Sequence, residues 1–200
     1  MLRLRVDPSP LQRFIHGVVG FFPHLVRSFV ERVFPEWFLP TNIVLKTERQ
    51  GKEEEHGDAD ELMDTEIQAY KQLKPVQGVV VPVYYGQVRR DGFRSIIIQD
   101  VGGASLREPA GMLLEFEELA RLLEECYVAI TSFGVRLENT QLGNFILVDG
   151  RVMAIDLEMV TFGQTKEQLR HAMYVAITGL LETYRDHRKF LRREGWLEAA

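Results

Sequence analysis

Apolar residues at the start of the chain recur at steps of three and four positions, which is the spacing of one face of an α-helix. The pattern runs on both sides of Pro23 and predicts two amphipathic helical pieces within residues 1–35. It is carried by Leu11, Phe14, Ile15, Val18 and Val19, and then by Val26, Phe29, Val30 and Val33. We expect these helices to dock on the rest of the protein, with a membrane surface or a partner protein as the alternatives.

The same segment does not predict a membrane span or a signal peptide. A span needs about 20 predominantly apolar residues, and this stretch is interrupted by His16, Pro23, His24, Arg27, Glu31 and Arg32. No small-residue cleavage site closes an apolar core there. We therefore expect no transmembrane segment, and a cytoplasmic or nuclear location.

Beyond Pro40 the pattern predicts a strand, a helix and then further strands. Asn42–Thr47 is β-branched and carries one lysine, which predicts a strand. An acidic stretch then leads into a helix predicted over 60–73. Further strands are predicted at Val79–Tyr85, Gln87–Arg90 and Ser95–Gln99, with a turn at Asp91-Gly92 between the last two.

After Gly102-Gly103 the predicted elements are mainly helical. A long amphipathic helix is predicted over 115–133. A hairpin follows, with arms 145–148 and 151–155 around Asp149-Gly150. A last helix or helix pair runs from Lys166 towards Trp196. Strands with one helix, then helix, hairpin and helix, predict the α+β class.

Composition and charge narrow the possible functions. The 200 residues are 46% hydrophobic and 26% charged, which is typical of a folded globular chain. The net charge of −5 argues against a general nucleic-acid-binding role. The single cysteine, Cys126, cannot form an internal disulfide, and its apolar neighbours predict a buried packing role.

Three polar residues lie within or directly beside predicted strands that are otherwise apolar. Lys46 lies within one strand, Asn144 precedes another, and Asp156 follows a third. Transfer of a phosphoryl group from a nucleotide needs a cation on the phosphates, an acid that holds this cation, and ligands for metal ions. Lys46 and Glu66 suit the first pair, while Asn144 and Asp156, on the two arms of the hairpin, suit Mg²⁺.

A hinge is predicted in the sequence between Glu66 and Asn144. Residues 96–103 read as a strand that passes into Gly102-Gly103. The backbone at the end of this strand, at Gln99, Asp100 and Val101, could face an adenine.

In the order of these segments, the chain resembles the protein-kinase-like fold, and in particular small fungal kinase-like proteins. The resemblance covers roughly residues 36–185, and it rests on an ordered series rather than on one motif. The segments that carry it are Trp37–Pro40, Ile43–Lys46, Glu66–Gly78, Val81–Gly86, Asp100–Leu106 and Gly134–Glu158.

The resemblance implies a two-lobed fold with a reduced small lobe at 36–100 and a short helical lobe at 101–200, preceded by the extension at 1–35. It implies ATP and Mg²⁺ as cofactors. Lys46 would contact phosphate, with Glu66 as its partner on the helix. Asn144 and Asp156 would be the magnesium ligands, the latter in the motif Asp156-Leu157-Glu158.

The chain departs from the kinase pattern at the catalytic base. Kinases carry an aspartate five residues before the magnesium-binding asparagine, and here that position is Asn139, with Leu137 in the place of the usual histidine. An amide cannot accept the proton of the substrate hydroxyl as a carboxylate does, and general-base catalysis contributes about 10²–10⁴-fold. Glu138 is adjacent, but we expect it to point elsewhere.

Two further departures concern the lobes. No glycine-rich phosphate loop precedes Lys46, because Gly17 and Gly20 fall in the predicted helices. We expect these helices to cover the small lobe where the first kinase strands are missing. The chain also has no proline after Pro109, and the last helix begins about ten residues after Asp156, which leaves little room for a peptide-docking platform.

The sequence therefore predicts a pseudokinase that retains weak binding of Mg-nucleotide and has a binding or regulatory role. An active phosphotransferase of atypical design, with a small-molecule acceptor, is one alternative. A pure protein-interaction module, with the N-terminal helices as one contact surface, is another. The kinase-like interpretation requires Lys46 and Glu66 to lie within reach of a salt bridge or to be separated only by a shift of the helix, with Asn144 and Asp156 facing them.

Overall fold

The protein is described here from a computed structural model covering residues 2–7, 9–34, 38–47, 59–90 and 92–197. It contains helices and several antiparallel sheets, so the α+β class is confirmed. The chain divides into two compact units. The first comprises Met1–Ala59 with Val83–Asp100, and the second comprises Asp60–Pro82 with Val101–Ala200.

The first unit is built on a four-stranded antiparallel sheet. Its strands are β1 (Leu2–Arg5), β2 (Asn42–Thr47), β3 (Tyr84–Arg90) and β4 (Phe93–Gln99), in the order β1-β2-β4-β3. The two central strands are rich in β-branched residues, which pack well on a pleated surface. Their buried apolar residues are Ile43, Val44, Leu45, Ile96 and Ile98.

Two parts of this sheet differ from the sequence prediction. Strand β1 was not predicted, because four residues are too short for a clear pattern and their pairing partner β2 lies about forty positions away. Most of the predicted strand at Val79–Tyr85 is absent: Val81 makes an isolated bridge to Gln77, and β3 begins only at Tyr84. Pro82 explains the interruption, because proline cannot donate to a ladder.

Two helices follow β1, as the sequence predicts. They are α1 (Pro10–Gly20) and α2 (His24–Val33), and Pro23 separates them. Ser9 and Gln12 form a capping box at the start of α1, in which each side chain bonds the backbone of the other residue.

The expectation that these helices cover the small lobe stays a prediction. Strand β1 pairs with β2 and so protects that edge of the sheet. In α1 only Val19 is buried, and His16 stacks on Phe38 with ring centroids 5.0 Å apart. A cavity of about 640 Å³ remains among α1, α2 and the residues 38–41.

The second unit is mainly helical. Its helices are α3 (Ala59–Gln72), α4 (Phe116–Thr131) and α5 (Lys166–Arg193). Short strands β5 (Ala104–Ser105), β7 (Phe145–Val148) and β8 (Arg151–Ala154) form one antiparallel sheet. Strands β6 (Val135–Leu137) and β9 (Val160–Phe162) form a second. The long helices and the β7–β8 hairpin agree with the sequence prediction.

The core of this unit lies along α4. One stripe of the helix is buried, at the three- and four-residue spacing that the sequence predicts. It consists of Leu119, Leu122, Leu123, Cys126, Tyr127 and Ile130. Among the residues that the structure describes, no helix combines the length and the apolar character that crossing a membrane requires.

Cys126 packs in this core as predicted. Its thiol lies 3.8 Å from the carbonyl oxygen of Val80, and burial raises the pKa of the thiol to about 12. At pH 8 only about one thiol in 10⁴ would then be ionised, and the thiolate is the reactive form. We expect no reaction of the native chain with a disulfide reagent at pH 8, and stoichiometric reaction in denaturant; rapid labelling of the native chain would contradict this.

Gly102 and Gly103, at the start of the second unit, have similar backbone conformations but different surroundings, so alanine substitutions at the two positions can be compared. Both have positive φ, +63° and +70°, but a Cβ on Gly103 would overlap the carbonyl oxygen of Leu147, whereas one on Gly102 would meet no atom within 4 Å. We expect Gly102→Ala to lower the free energy of unfolding by about 1–2 kcal/mol, the cost of the left-handed conformation. Gly103→Ala should cost about 1–3 kcal/mol more because it overpacks the contact. Urea titrations measure both, and equal losses would contradict the steric argument.

Candidate functional site

The β7–β8 hairpin positions two of the predicted metal ligands. Its register pairs Phe145 with Ala154, and the Ile155 amide donates to the Asn144 carbonyl oxygen at 2.8 Å, which extends the ladder by one pair. Asn144 and Asp156 therefore lie at the same open end of the hairpin, although twelve positions separate them in the sequence. The predicted hairpin thus brings the backbones of these two residues to the same end of the sheet.

The side chain of Asn144 is oriented by the preceding loop. Its amide nitrogen Nδ2 donates to the backbone carbonyl oxygen of Asn139 at 3.3 Å. Because the nitrogen is used within the loop, the amide oxygen Oδ1 is the atom suited to a metal ion. This bond also ties the two ends of the loop 139–144 to one another.

Asp156 has a strained backbone. Its φ of +67° lies in the left-handed region, which costs a residue with a Cβ about 1–2 kcal/mol. Among the described residues, only Asp149, in the turn of the hairpin, also has positive φ without being glycine. Such strain is retained where surrounding contacts impose it, and it is concentrated at functional sites.

A buried glutamate from α3 supplies one of these contacts. Glu66 lies on the inner face of the helix, among Met63, Ile67 and Tyr70, and is 1% exposed. Its Oε1 accepts a hydrogen bond of 3.2 Å from the amide of Leu157, the residue directly after Asp156. Leu157 is itself fully buried. The helix and the chain after the hairpin are thereby joined at the strained residue.

Three carboxylates meet at this point. Single oxygen atoms of Glu66, Asp156 and Glu158 all lie within 4.8 Å of one another. Glu66 is buried, and the other two are half-buried. Glu158 is not among the metal ligands that the sequence predicts. The sequence held no clear signal for it, because alternation applies to extended segments and Asp156 has a left-handed backbone.

Tyr70 lies close to the same carboxylates. Burial raises the pKa of its phenol well above the usual value, and the negative charges of Glu66 and then Asp156 raise it further. The phenol therefore stays protonated at all physiological pH values. It presents a neutral polar group to the carboxylates and adds no negative charge to the cluster.

Lys46 occupies its predicted strand. It lies in β2 opposite Ile96 and is only 6% exposed. A buried lysine is uncommon and needs interactions that satisfy its charge. Lys46 belongs to the first unit and Glu66 to the second. Their pairing, and the arrangement of Asn144 and Asp156 facing them, stay predictions.

The residues predicted to face an adenine have local partners. Gln99, at the end of β4, accepts a bond from the Val83 amide on its Oε1 at 3.2 Å. The Asp100 carboxylate lies 3.4 Å from Nε of Arg3, and Val101, in the second unit, is half-buried. The interaction of Gln99, Asp100 and Val101 with a nucleotide stays a prediction.

The loop at the predicted base position offers no well-placed carboxylate. Asn139 is half-buried and holds Asn144 through its backbone. The Glu138 carboxylate lies 3.2 Å from Arg136 and accepts a 2.8 Å bond from the Thr161 hydroxyl. Both partners of Glu138 lie in the β6–β9 sheet, so its carboxylate is oriented towards that sheet.

The chemistry of the cluster favours a hard cation. The donor atoms of the cluster are oxygens of three carboxylates, and such sets suit Mg²⁺ or Ca²⁺ rather than Zn²⁺ or Cu²⁺. Carboxylates this close repel one another, and a divalent cation would offset the repulsion. In comparisons with known proteins, the chain matches no protein-family model and no curated protein.

The bond between Glu66 and Leu157 generates a stability prediction. Glu66→Ala leaves the buried Leu157 amide without this acceptor, and we expect a loss of about 2–3 kcal/mol in the free energy of unfolding. Glu66→Gln retains a carbonyl oxygen and should lose clearly less. Gln68→Ala, at an exposed position of α3, serves as the control and should change stability by less than about 0.5 kcal/mol. Equal losses for the alanine and glutamine variants of Glu66 would contradict the role of this bond.

Proposed function

We propose that this chain is a kinase-like protein that binds Mg-nucleotide and has lost ordinary phosphoryl transfer, so that its role is one of binding or regulation. The observation that carries the proposal is the junction at Asp156. There the carboxylates of a strained aspartate, the buried Glu66 of α3 and Glu158 lie close together, at the end of the hairpin that also carries Asn144. The nucleotide itself enters through the resemblance of the sequence to kinase-like proteins.

The magnesium part of the proposal rests on the donor atoms. Asn144 Oδ1 and the carboxylate of Asp156 are the predicted ligands, and Glu158 adds a third oxygen donor within reach of Asp156. Mg²⁺ is held through a small number of protein carboxylates together with substrate phosphates. When bound, the ion would neutralise charge on the phosphates, while the protein residues fix its position.

The loss of transfer rests on the loop 137–144. Asn139 cannot take up a proton at physiological pH. Glu138 is engaged with Arg136 and Thr161, and moving it would break both interactions. A nucleotide could therefore bind without an efficient base beside its acceptor.

A second candidate function is favoured by a cavity of about 500 Å³ beside this loop. It is lined by Leu137, Glu138 and Thr140 on one side and by residues of α5, including Gln168 and His171, on the other. This volume is within the range of small-molecule sites. It would suit an active phosphotransferase with a small-molecule acceptor.

Thermal unfolding in the presence of Mg-ATP tests binding. A ligand at ten times its Kd that binds only the native state raises stability by about 1.4 kcal/mol, or about 3–5 °C for a chain of this size. Asp156→Asn should remove the magnesium-dependent part of the shift, because asparagine tolerates the left-handed backbone but lacks the charge. Asn139→Asp should leave the shift unchanged, because that position would serve the acceptor hydroxyl.

Three outcomes separate the candidates. A shift that needs both Mg²⁺ and Asp156, without formation of ADP, supports the proposal. No shift at millimolar Mg-ATP contradicts it and favours the pure interaction module. ADP formation at ordinary kinase rates, about 1–100 s⁻¹, contradicts the loss of transfer and supports the second candidate.

A further inference from the structure

The N-terminal helices expose an unusual amount of apolar surface. Half of the large apolar side chains that are exposed in the described part of the chain, ten of twenty, fall between residues 11 and 34. We call this set the N-terminal apolar surface. Its members are Leu11, Phe14, Val18, Phe21, Phe22, Leu25, Val26, Phe29, Val33 and Phe34.

These side chains lie on one stripe of each helix. Leu11, Phe14 and Val18 follow the three- and four-residue spacing along α1, and Leu25 and Phe29 follow it along α2. The most exposed members are at or next to the connection between the helices: Phe21 is 93% exposed and Leu25 is 83% exposed. Contiguous apolar surface of this kind marks a site of interaction with a protein or a membrane.

The charge of the segment distinguishes the possible partners. Residues 1–34 contain five arginines and two acidic residues, a net charge of +3 in a chain whose total is −5. Arg13 comes two positions after Leu11, and Arg27 two positions after Leu25. At about 100° per residue this places each arginine on the side of its helix away from the apolar stripe.

We propose that the N-terminal apolar surface binds the surface of an anionic lipid bilayer. Helices that lie in a bilayer interface combine exposed phenylalanine and leucine on one face with basic residues on the other. Anionic headgroups attract the positive charge. None of the apolar residues that the inference uses is a predicted site residue, so it does not depend on the nucleotide site. The net charge of the segment also includes Arg3 and Arg5 of β1, of which Arg3 pairs with Asp100.

Self-association through the same surface fits these observations less well. Two copies would bring two segments of charge +3 together, and like charges across an interface oppose association. The exposed Phe21 and Phe22 protrude at a turn. A fluid hydrocarbon layer accepts such a tip without a preformed pocket, whereas a protein partner must supply one.

Co-sedimentation of the full chain with lipid vesicles tests the proposal. We expect binding to phosphatidylcholine vesicles that contain phosphatidylserine, and at least about tenfold weaker binding to pure phosphatidylcholine. Raising the salt concentration from about 0.1 M to about 1 M shortens the Debye length from about 10 Å to about 3 Å and should weaken the binding to anionic vesicles.

Variants separate the apolar contribution from effects on folding. Phe21→Ser with Leu25→Ser changes two highly exposed positions, so the melting temperature should stay within about 2 °C while vesicle binding falls at least about tenfold. The matched control is Leu113→Ser with Tyr174→Ser, which changes two positions that are 67% and 71% exposed in the second unit. This control should bind anionic vesicles like the unaltered chain.

Three outcomes would overturn the proposal. One is an absence of binding to anionic vesicles. Another is equal binding by the unaltered chain and the Phe21→Ser, Leu25→Ser variant. The third is a concentration-dependent dimer, measured by light scattering, that the same variant abolishes while vesicle binding persists; the surface would then be a contact between two copies of the chain.

Discussion

The hydrogen bond from the Leu157 amide to the buried carboxylate of Glu66 is the constraint on which the candidate site depends. It joins α3 to the chain directly after Asp156, over 91 positions of sequence. A buried bond to a charged acceptor contributes about 1.5–3 kcal/mol, which is comparable to the cost of the left-handed backbone at Asp156. Burial of Leu157 beside it anchors the chain in the same place. The strain at Asp156 is therefore balanced locally, and the aspartate is held at the end of the hairpin.

Under the proposed function, the same geometry would allow nucleotide binding to be retained while phosphoryl transfer is lost. The donors for a cation are held by the hairpin ladder and by α3, both of which are part of the packed core of the second unit. The predicted base position lies in the loop before the hairpin, and the backbone oxygen of Asn139 orients Asn144. Replacing an aspartate by an asparagine there leaves this backbone contact intact, because the side chain does not take part in it. Under the proposed function, loss of the proton acceptor would therefore be compatible with retention of the predicted metal ligands.

The sequence predicted the elements that have a clear local pattern. The hairpin at Asp149-Gly150, the buried stripe of α4 and the break at Pro23 follow from turn chemistry and helical spacing, and the structure contains them. It also predicted Asn144 and Asp156 as neighbours, because the two arms of a hairpin bring such positions together. It did not predict strands β1, β5, β6 and β9, which have between two and four residues and depend on pairing with distant partners. The bond between Glu66 and Leu157 could not be predicted either, because a contact over 91 positions leaves no local pattern in the sequence.

The N-terminal helices show why an apolar stripe does not determine what it contacts. The apolar positions of α1 cover a broad arc, and only one edge of it, at Val19, is buried against the first unit. Strand β1 already pairs with β2 at one edge of the sheet. The backbone groups of this edge therefore do not need the helices to cover them. The remaining stripe of Leu11, Phe14 and Val18 is left exposed, and burying such side chains contributes about 1.5–3 kcal/mol each. Burial of these side chains against a binding partner would therefore be strongly favourable. The positive charge of the segment is opposite in sign to that of the rest of the chain, and it favours an anionic surface over another copy of the same segment.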